Sequence, residues 1–210
     1  RKYFNNLSKK ELLIIDNFKT TTDNLNLTSN SVFISSQNGV IGFYGKQILT
    51  MAGEYLPHIV KLPLVLINPD FIDWFSVNEQ LMVGTDSDII PYQDRNIKIL
   101  VCSDLIYPPK AGNGNPDFII TAGSYAIWKG SAIAKNQILA AARFRAIENG
   151  KYMVLAANSD QSYIINPLGR VEKTTDPESY ELLTGTVIPN KNRTWYNYLG
   201  DWPIILLSAA

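Results

Sequence analysis

The strongest constraint on the fold is a set of short apolar runs arranged around one long helical pattern in the second half of the chain. Residues 97–102 read IKILVC and residues 118–121 read FIIT, each bounded by polar or Pro/Gly-containing segments, as expected of strands covered on both faces. From Ser131 to Asn149 the apolar residues Ile133, Ala134, Ile138, Ala141, Ala142 and Ile147 follow a helical pattern. Gly150 stands where a helix C-terminus is commonly closed. Tyr152–Ala156, Tyr163–Asn166 and Leu183–Ile188 then read as strands, with Pro167-Leu168-Gly169 turning the second toward Arg170-Val171. Strands interspersed with a long helix predict a layered α/β domain.

In the first half, Ser8-Lys9-Lys10-Glu11 has capping-box spacing, but the branched apolar residues after it make Leu12–Phe18 a buried strand. Gln37-Asn38-Gly39 between Ser31–Ser35 and Val40–Tyr44 predicts a hairpin. Asn68–Pro91 and Pro108–Asn115 read as loop-rich, and no linker, repeat or low-complexity tract splits the chain.

Composition removes several function classes. The 19 basic and 19 acidic residues cancel and form no basic run, which argues against a nucleic-acid partner. The apolar run Ile204–Leu207, extended by Ser208, Ala209 and Ala210, is far short of the roughly 20 residues of a membrane span. One cysteine excludes an internal disulfide and a multi-cysteine metal site, and the lone His58 removes most zinc geometries, so neither a metal nor a cofactor is expected. The chain opens on Arg1-Lys2-Tyr3-Phe4, without an initiator methionine or signal pattern, and closes inside an apolar run. The expectation is an excerpt of a longer protein.

Cys102 is the first candidate for chemistry, because it ends an apolar strand and is followed by Ser103-Asp104, where open α/β sheets place reactive groups. By position alone the commoner outcome for a free cysteine is a small buried hydrophobe. A reactive thiol needs a base or a positive neighbour. His58, just after Pro57, is more often a surface or structural residue. Lys46 follows the predicted hairpin and Glu54 lies eight positions on. An ammonium can stabilise the oxyanion formed at an acyl carbon, and a carboxylate can take a thiol proton or orient the lysine. Singly, each is a solvated charge; the order hairpin, Lys, Gly-Glu-Tyr-Leu-Pro and a strand ending in Cys is what points to a site.

That order, with motifs spread through nearly the whole chain, resembles the nitrilase-like (carbon–nitrogen hydrolase) domain of the apolipoprotein N-acyltransferases. The family segment Y-x-K-x-x-L-V-P-F-G-E-Y-I-P is matched by Tyr44, Lys46, Leu49, Gly53, Glu54, Tyr55 and Pro57, with Thr50-Met51-Ala52 in place of Val-Pro-Phe. The segment I-C-Y-E-x-x-x-P is matched by Val101-Cys102-Ser103-Asp104 and Pro108, Asp replacing Glu. A-R-x-R-A-I-E-N-G is reproduced from Ala142 to Gly150, and Ala157-Asn158-Ser159 leads to Ile165-Asn166-Pro167-Leu168-Gly169-Arg170-Val171. The closing T-x-Y-x-x-x-G-D-W-P is matched by Thr194, Tyr196, Gly200, Asp201, Trp202 and Pro203. Where the family has N-D-A-W-F-G and Q-H, this chain keeps only Trp128, Gly130 and Gln137, and Asp160 stands where a glycine is expected.

The resemblance implies a four-layer α-β-β-α sandwich lacking its first strand and helix. Residues 1–203 would form a partial carbon–nitrogen hydrolase domain, and residues 204–210 the start of a returning membrane helix. It implies a Glu-Lys-Cys triad with Lys46 and Cys102 as second and third members and Glu54 as an additional active-site glutamate. Asp104 and Trp128 would lie on the substrate side, and the triad's first Glu upstream of Arg1. The implied activity is transfer of an acyl chain from a phospholipid to the N-terminal amine of a diacylated apolipoprotein, at the periplasmic face of a bacterial inner membrane. The alternatives are a soluble carbon–nitrogen amidase or nitrilase, and an inactive fragment or pseudo-enzyme of weak or no activity.

Overall fold

The computed structural model describes residues 13–22, 27–36, 39–78, 80–108, 114–126, 131–158, 160–176 and 181–208. They fall into two compact units that divide between Asp86 and Ser87.

The first unit opens with a three-stranded antiparallel sheet of β1 (Leu13–Thr22), β2 (Leu27–Ser36) and β3 (Gly39–Gly45) in sequential order. The expected strand after Leu12 thus runs on to Thr22. The expected hairpin is present, with Ser36 opposite Gly39; residues 37 and 38 lie outside the described residues, as do Ser8–Glu11. Two helices follow, α1 (His58–Ile67) and α2 (Pro69–Asn78). The second corrects the reading of Asn68–Pro91 as loop-rich. Asn68 accepts the Phe71 N–H at 3.1 Å through Oδ1, Pro69 occupies the first helical position, and Asp70 lies in the first turn. Ile72 and Phe75 turn inward on Leu56, while Ile59, Leu62, Leu66 and Ile67 of α1 remain exposed.

The second unit is a six-stranded sheet in sequential order: β4 (Ile89–Tyr92), β5 (Arg95–Val101), β6 (Phe118–Ser124), β7 (Met153–Asn158), β8 (Tyr163–Ile165) and β9 (Val171–Thr174). Strands β5, β6 and β7 are mutually parallel and the outer pairings antiparallel. The parallel step from β6 to β7 is made by α3 (Ala132–Asn149), capped by the Ser131 side chain and closed by Gly150 at φ 62°. Leu100, Ile119, Met153, Leu155 and Ile165 from the sheet and Ala142 and Ala146 from α3 form the core.

The strand expected at Leu183–Ile188 is absent. Leu182 and Ile188 are exposed, Gly185 lies against Ile164, and the Thr184 carbonyl accepts from Lys173 Nζ at 2.6 Å, so the segment is held by side chains and takes no place in the ladder. Two short helices close the unit, α4 (Trp195–Leu199) and α5 (Trp202–Ser208), the latter exposing Ile204, Leu206 and Leu207. Among the described residues no helix is long and apolar enough to cross a membrane.

Candidate active site

In the first unit Lys46 directly follows β3, and its side chain is fully buried. Burying an ammonium is costly unless a counter-charge accompanies it. Residues 50–55 supply one by turning back: the Glu54 N–H donates to the Thr50 carbonyl at 2.8 Å and the Ala52 N–H to the Tyr55 carbonyl at 2.8 Å, with Ala52 at φ 62°. This returns Glu54 to Lys46, whose Nζ donates to Oε1 at 2.6 Å and Oε2 at 2.5 Å. Oε2 also accepts the Thr50 N–H at 2.7 Å. The third Nζ hydrogen has no acceptor among the described residues.

Residues 81–86 brace this arrangement. The Leu81 N–H donates to the Glu54 carbonyl and the Gly84 N–H to the Lys46 carbonyl, both at 2.8 Å. A Cβ on Gly84 would lie 2.2 Å from the Gly45 carbonyl oxygen, so only glycine permits this approach. Nothing in the sequence beyond an isolated glycine marked that position. His58, weighed as a base, is exposed at the start of α1.

In the second unit β5 ends at Val101, and Cys102 takes φ 49°, a left-handed conformation uncommon for a side-chain-bearing residue. A 3-10 turn, Cys102–Ile106, carries the chain away. Asp104, expected on the substrate side, is fully buried, and its Oδ2 accepts the Val101 N–H at 3.1 Å. What its carboxylate does here is hold the bend that presents Cys102. Cys102 itself is half-buried, so it is not the sealed apolar thiol of the alternative reading. Strand β6 passes so close that a Cβ on Gly123 would meet Cys102 Cα at 3.2 Å and Cβ at 3.3 Å. Gly123 is a further site residue, its signal in hindsight the small Ala122-Gly123-Ser124 end of an apolar strand. Cys102, Tyr125 and Asn158 share the carboxyl end of the parallel strands, where the Tyr125 N–H donates to the Asn158 carbonyl at 3.1 Å. Trp128, the remaining expected site residue, lies outside the described residues. No group of three His, Cys, Asp or Glu among the described residues is placed to hold a metal.

The remaining motif residues build the scaffold of the second unit. Arg143 Nε donates to the Gly169 carbonyl at 2.7 Å, binding α3 to the β8–β9 turn. Arg145 Nη2 donates to Glu148 Oε1 at 3.1 Å, with Nε 3.1 Å from Oε2 as an ion contact without hydrogen-bond alignment. Asn197 Nδ2 donates to Asn149 Oδ1 at 2.8 Å, Tyr196 Oη donates to Asp201 Oδ1 at 2.8 Å, and Thr194 Oγ1 donates to the Glu148 carbonyl. Burial raises the Glu148 carboxyl above its usual 4.5; the Arg145 guanidinium opposes the shift and the Asp201 charge adds to it. Tyr196 is pushed up to about 12, first by burial and then by its bond to Asp201. Burial lowers Lys151, which donates to the Asn190 and Asn192 carbonyls.

The family model described as carbon-nitrogen hydrolase matches residues 10–197. The chain is 28% identical over 174 residues to the apolipoprotein N-acyltransferase of Pseudomonas putida, covering 80% of this chain and 33% of that protein. It is 34% identical over 171 residues to that of Rickettsia bellii, covering 78% of this chain and 32% of that protein. It therefore spans about a third of the length of these curated relatives. Among solved structures it is similar to a Saccharomyces cerevisiae member of branch 10 of the nitrilase superfamily, with TM-score 0.61 and 15% identity over 98% of this chain and 69% of that one. It is also similar to an amidase from Nesterenkonia sp., with TM-score 0.59 and 15% identity over 94% of this chain and 66% of that one. These likenesses show the nitrilase-like α/β fold that the sequence leads one to expect.

Proposed function

Because the chain belongs to the carbon–nitrogen hydrolase family, we propose that it is the acyl-transferring domain of an apolipoprotein N-acyltransferase, with Cys102 as its nucleophile. The observation that carries this reading is the left-handed Cys102 at the end of β5, half-buried and crowded by Gly123, since strain at a strand end is where nucleophiles are presented. The similarity to named N-acyltransferases supports the choice of reaction.

In this reading the Cys102 thiolate attacks the ester carbonyl of a phospholipid, and the carbonyl oxygen becomes an oxyanion. The family resemblance assigns stabilisation of that oxyanion to Lys46, whose ammonium Glu54 holds in place. The thiol proton passes through a carboxylate base, which the resemblance places before Arg1, to the departing lysophospholipid oxygen, leaving a thioester on Sγ. The α-amine of a diacylated apolipoprotein then attacks the thioester carbon, the amide forms, and Cys102 departs as thiolate while the amine proton goes to the base. Asp104 positions Cys102, and Trp128 is assigned to the substrate side. The full-length protein would act at the periplasmic face of a bacterial inner membrane, with α5 starting the return to the bilayer. Family kinship and the fold shared with amidases favour a second reading, in which water takes the acyl group from the same thioester.

The test is transfer of a labelled acyl group from phospholipid to a diacylated lipopeptide by the full-length protein. Transfer that is abolished by Cys102→Ala and falls on the order of 10²-fold or more with Lys46→Ala supports the reading. Release of free fatty acid or amide hydrolysis without transfer selects the amidase reading.

A further inference from the structure

Asp160 takes no part in the chemistry above, yet it is the position at which this chain puts a carboxylate where its family pattern has glycine. Its side chain is only 8% exposed. Oδ1 accepts the Gln161 N–H at 2.7 Å and lies 3.1 Å from Lys135 Nζ, whose side chain is 31% exposed. Lys135 stands in the first turn of α3, just after the Ser131 cap, and Asp160 in the short connection from β7 to β8. The bridge therefore joins two elements that a surface ion pair would have no need to join.

Both elements sit at the end of the sheet that carries the thiol. Val101 pairs with Ala122, Ala122 with Ala156 and Ser124 with Asn158, so β5 ends two residues short of β6 and β7; Cys102 lies level with Gly123 and Ala157, and Asp160 comes two residues after the end of β7. Strands β5 and β7 are two strand spacings apart, roughly 10 Å, so the bridge stands on the β7 side of Cys102, displaced from it both across the sheet and along the strands. A glycine at position 160 would leave that flank open and both elements free to part. A nearly buried carboxylate, by contrast, must keep its cation.

We infer that Lys135 and Asp160 are positioning residues that set specificity at Cys102: their bridge ties the β7–β8 connection to the start of α3 and restricts the bulk that can reach Sγ from the β7 side. The inference rests on the reading of Cys102 as the nucleophile.

The test is alkylation of Cys102 in the full-length protein, followed by mass spectrometry of its peptide, with iodoacetamide as the small reagent and a bulky N-aryl maleimide as the large one. In Asp160→Gly and Lys135→Met the ratio of large-reagent to small-reagent rate rises about tenfold, the scale on which pockets discriminate small differences in bulk. The exchanged pair Lys135→Asp with Asp160→Lys restores the original ratio, which a merely structural role would not. Lys135→Met keeps the bulk of the lysine and decides the matter if Asp160→Gly fails to fold. An unchanged ratio in folded variants whose Cys102 still reacts overturns the inference and leaves the nucleophile reading standing. A Cys102 inert to both reagents in the parent and in every variant overturns both.

Discussion

At the scale of single residues, the first unit is organised by the need to bury one ammonium. Lys46 has no exposed surface, and the Glu54 carboxylate meets it at 2.5 and 2.6 Å. Removing one partner of such a pair leaves an uncompensated charge, so Glu54→Ala should destabilise the protein by about 3 kcal/mol, read from urea midpoints; a loss under about 1 kcal/mol would mean the ammonium is wetter than its geometry implies. Gly84→Ala tests the brace. Its Cβ would sit 2.2 Å from the Gly45 carbonyl oxygen, so backbone must move, and a loss of about 1–3 kcal/mol in urea denaturation is expected. A neutral substitution would show that residues 81–86 do not hold Lys46. That Glu54 could orient Lys46 was one of two roles its position left open; that the ammonium is buried was not legible, since singly each reads as a solvated charge. Gly84 and Gly123 were not, because a glycine's role as a point of close approach depends on which backbone passes it.

At the scale of elements, α3 and the closing segment form one polar joint. Sequence made the helix plain because its ends are chemically marked, by the Ser131 side chain and by Gly150 at φ 62°. It did not show that the A-R-x-R-A-I-E-N-G and T-x-Y-x-x-x-G-D-W-P motifs answer each other through Thr194, Asn149 and Asn197, since pairing across about 45 residues leaves no local pattern. Segment 183–188 was misread for a related reason: branched residues favour a strand only where an edge accepts one, and here the Lys173 side chain takes the Thr184 carbonyl. Helix α2 was missed although Asn68-Pro69-Asp70 is a start signal, with Phe71, Trp74 and Phe75 at helical spacing.

The joint also predicts a pH dependence. In the folded chain Glu148 holds its proton above the usual 4.5, through burial first and the Asp201 charge second, with Arg145 opposing. Between 4.5 and that raised value the folded state is protonated and the unfolded state is not, so stability falls as pH climbs through the window and is level above it. Glu148→Gln should flatten that slope in denaturation measured across the window. The same slope in the variant would place its origin elsewhere.

At the scale of the whole molecule, balanced charge, one cysteine and one histidine left covalent chemistry at one thiol as the economical reading of the sequence, and the chain belongs to the carbon–nitrogen hydrolases. The fold was legible because motif order runs through nearly the whole chain, while the division between Asp86 and Ser87 was not, since no change of composition marks it. The central claim is that Cys102 carries an acyl group from lipid to amine. The most direct measurement is to incubate the full-length protein with phospholipid bearing a labelled acyl chain, quench in acid, and seek the label on the peptide containing Cys102 before and after adding a diacylated lipopeptide. The account predicts a hydroxylamine-sensitive thioester on Cys102 that forms without acceptor and is discharged to the lipopeptide amine when acceptor is added. Label transfer that proceeds unchanged in Cys102→Ala, or a parent protein that acylates the lipopeptide with no thioester at Cys102, would contradict it.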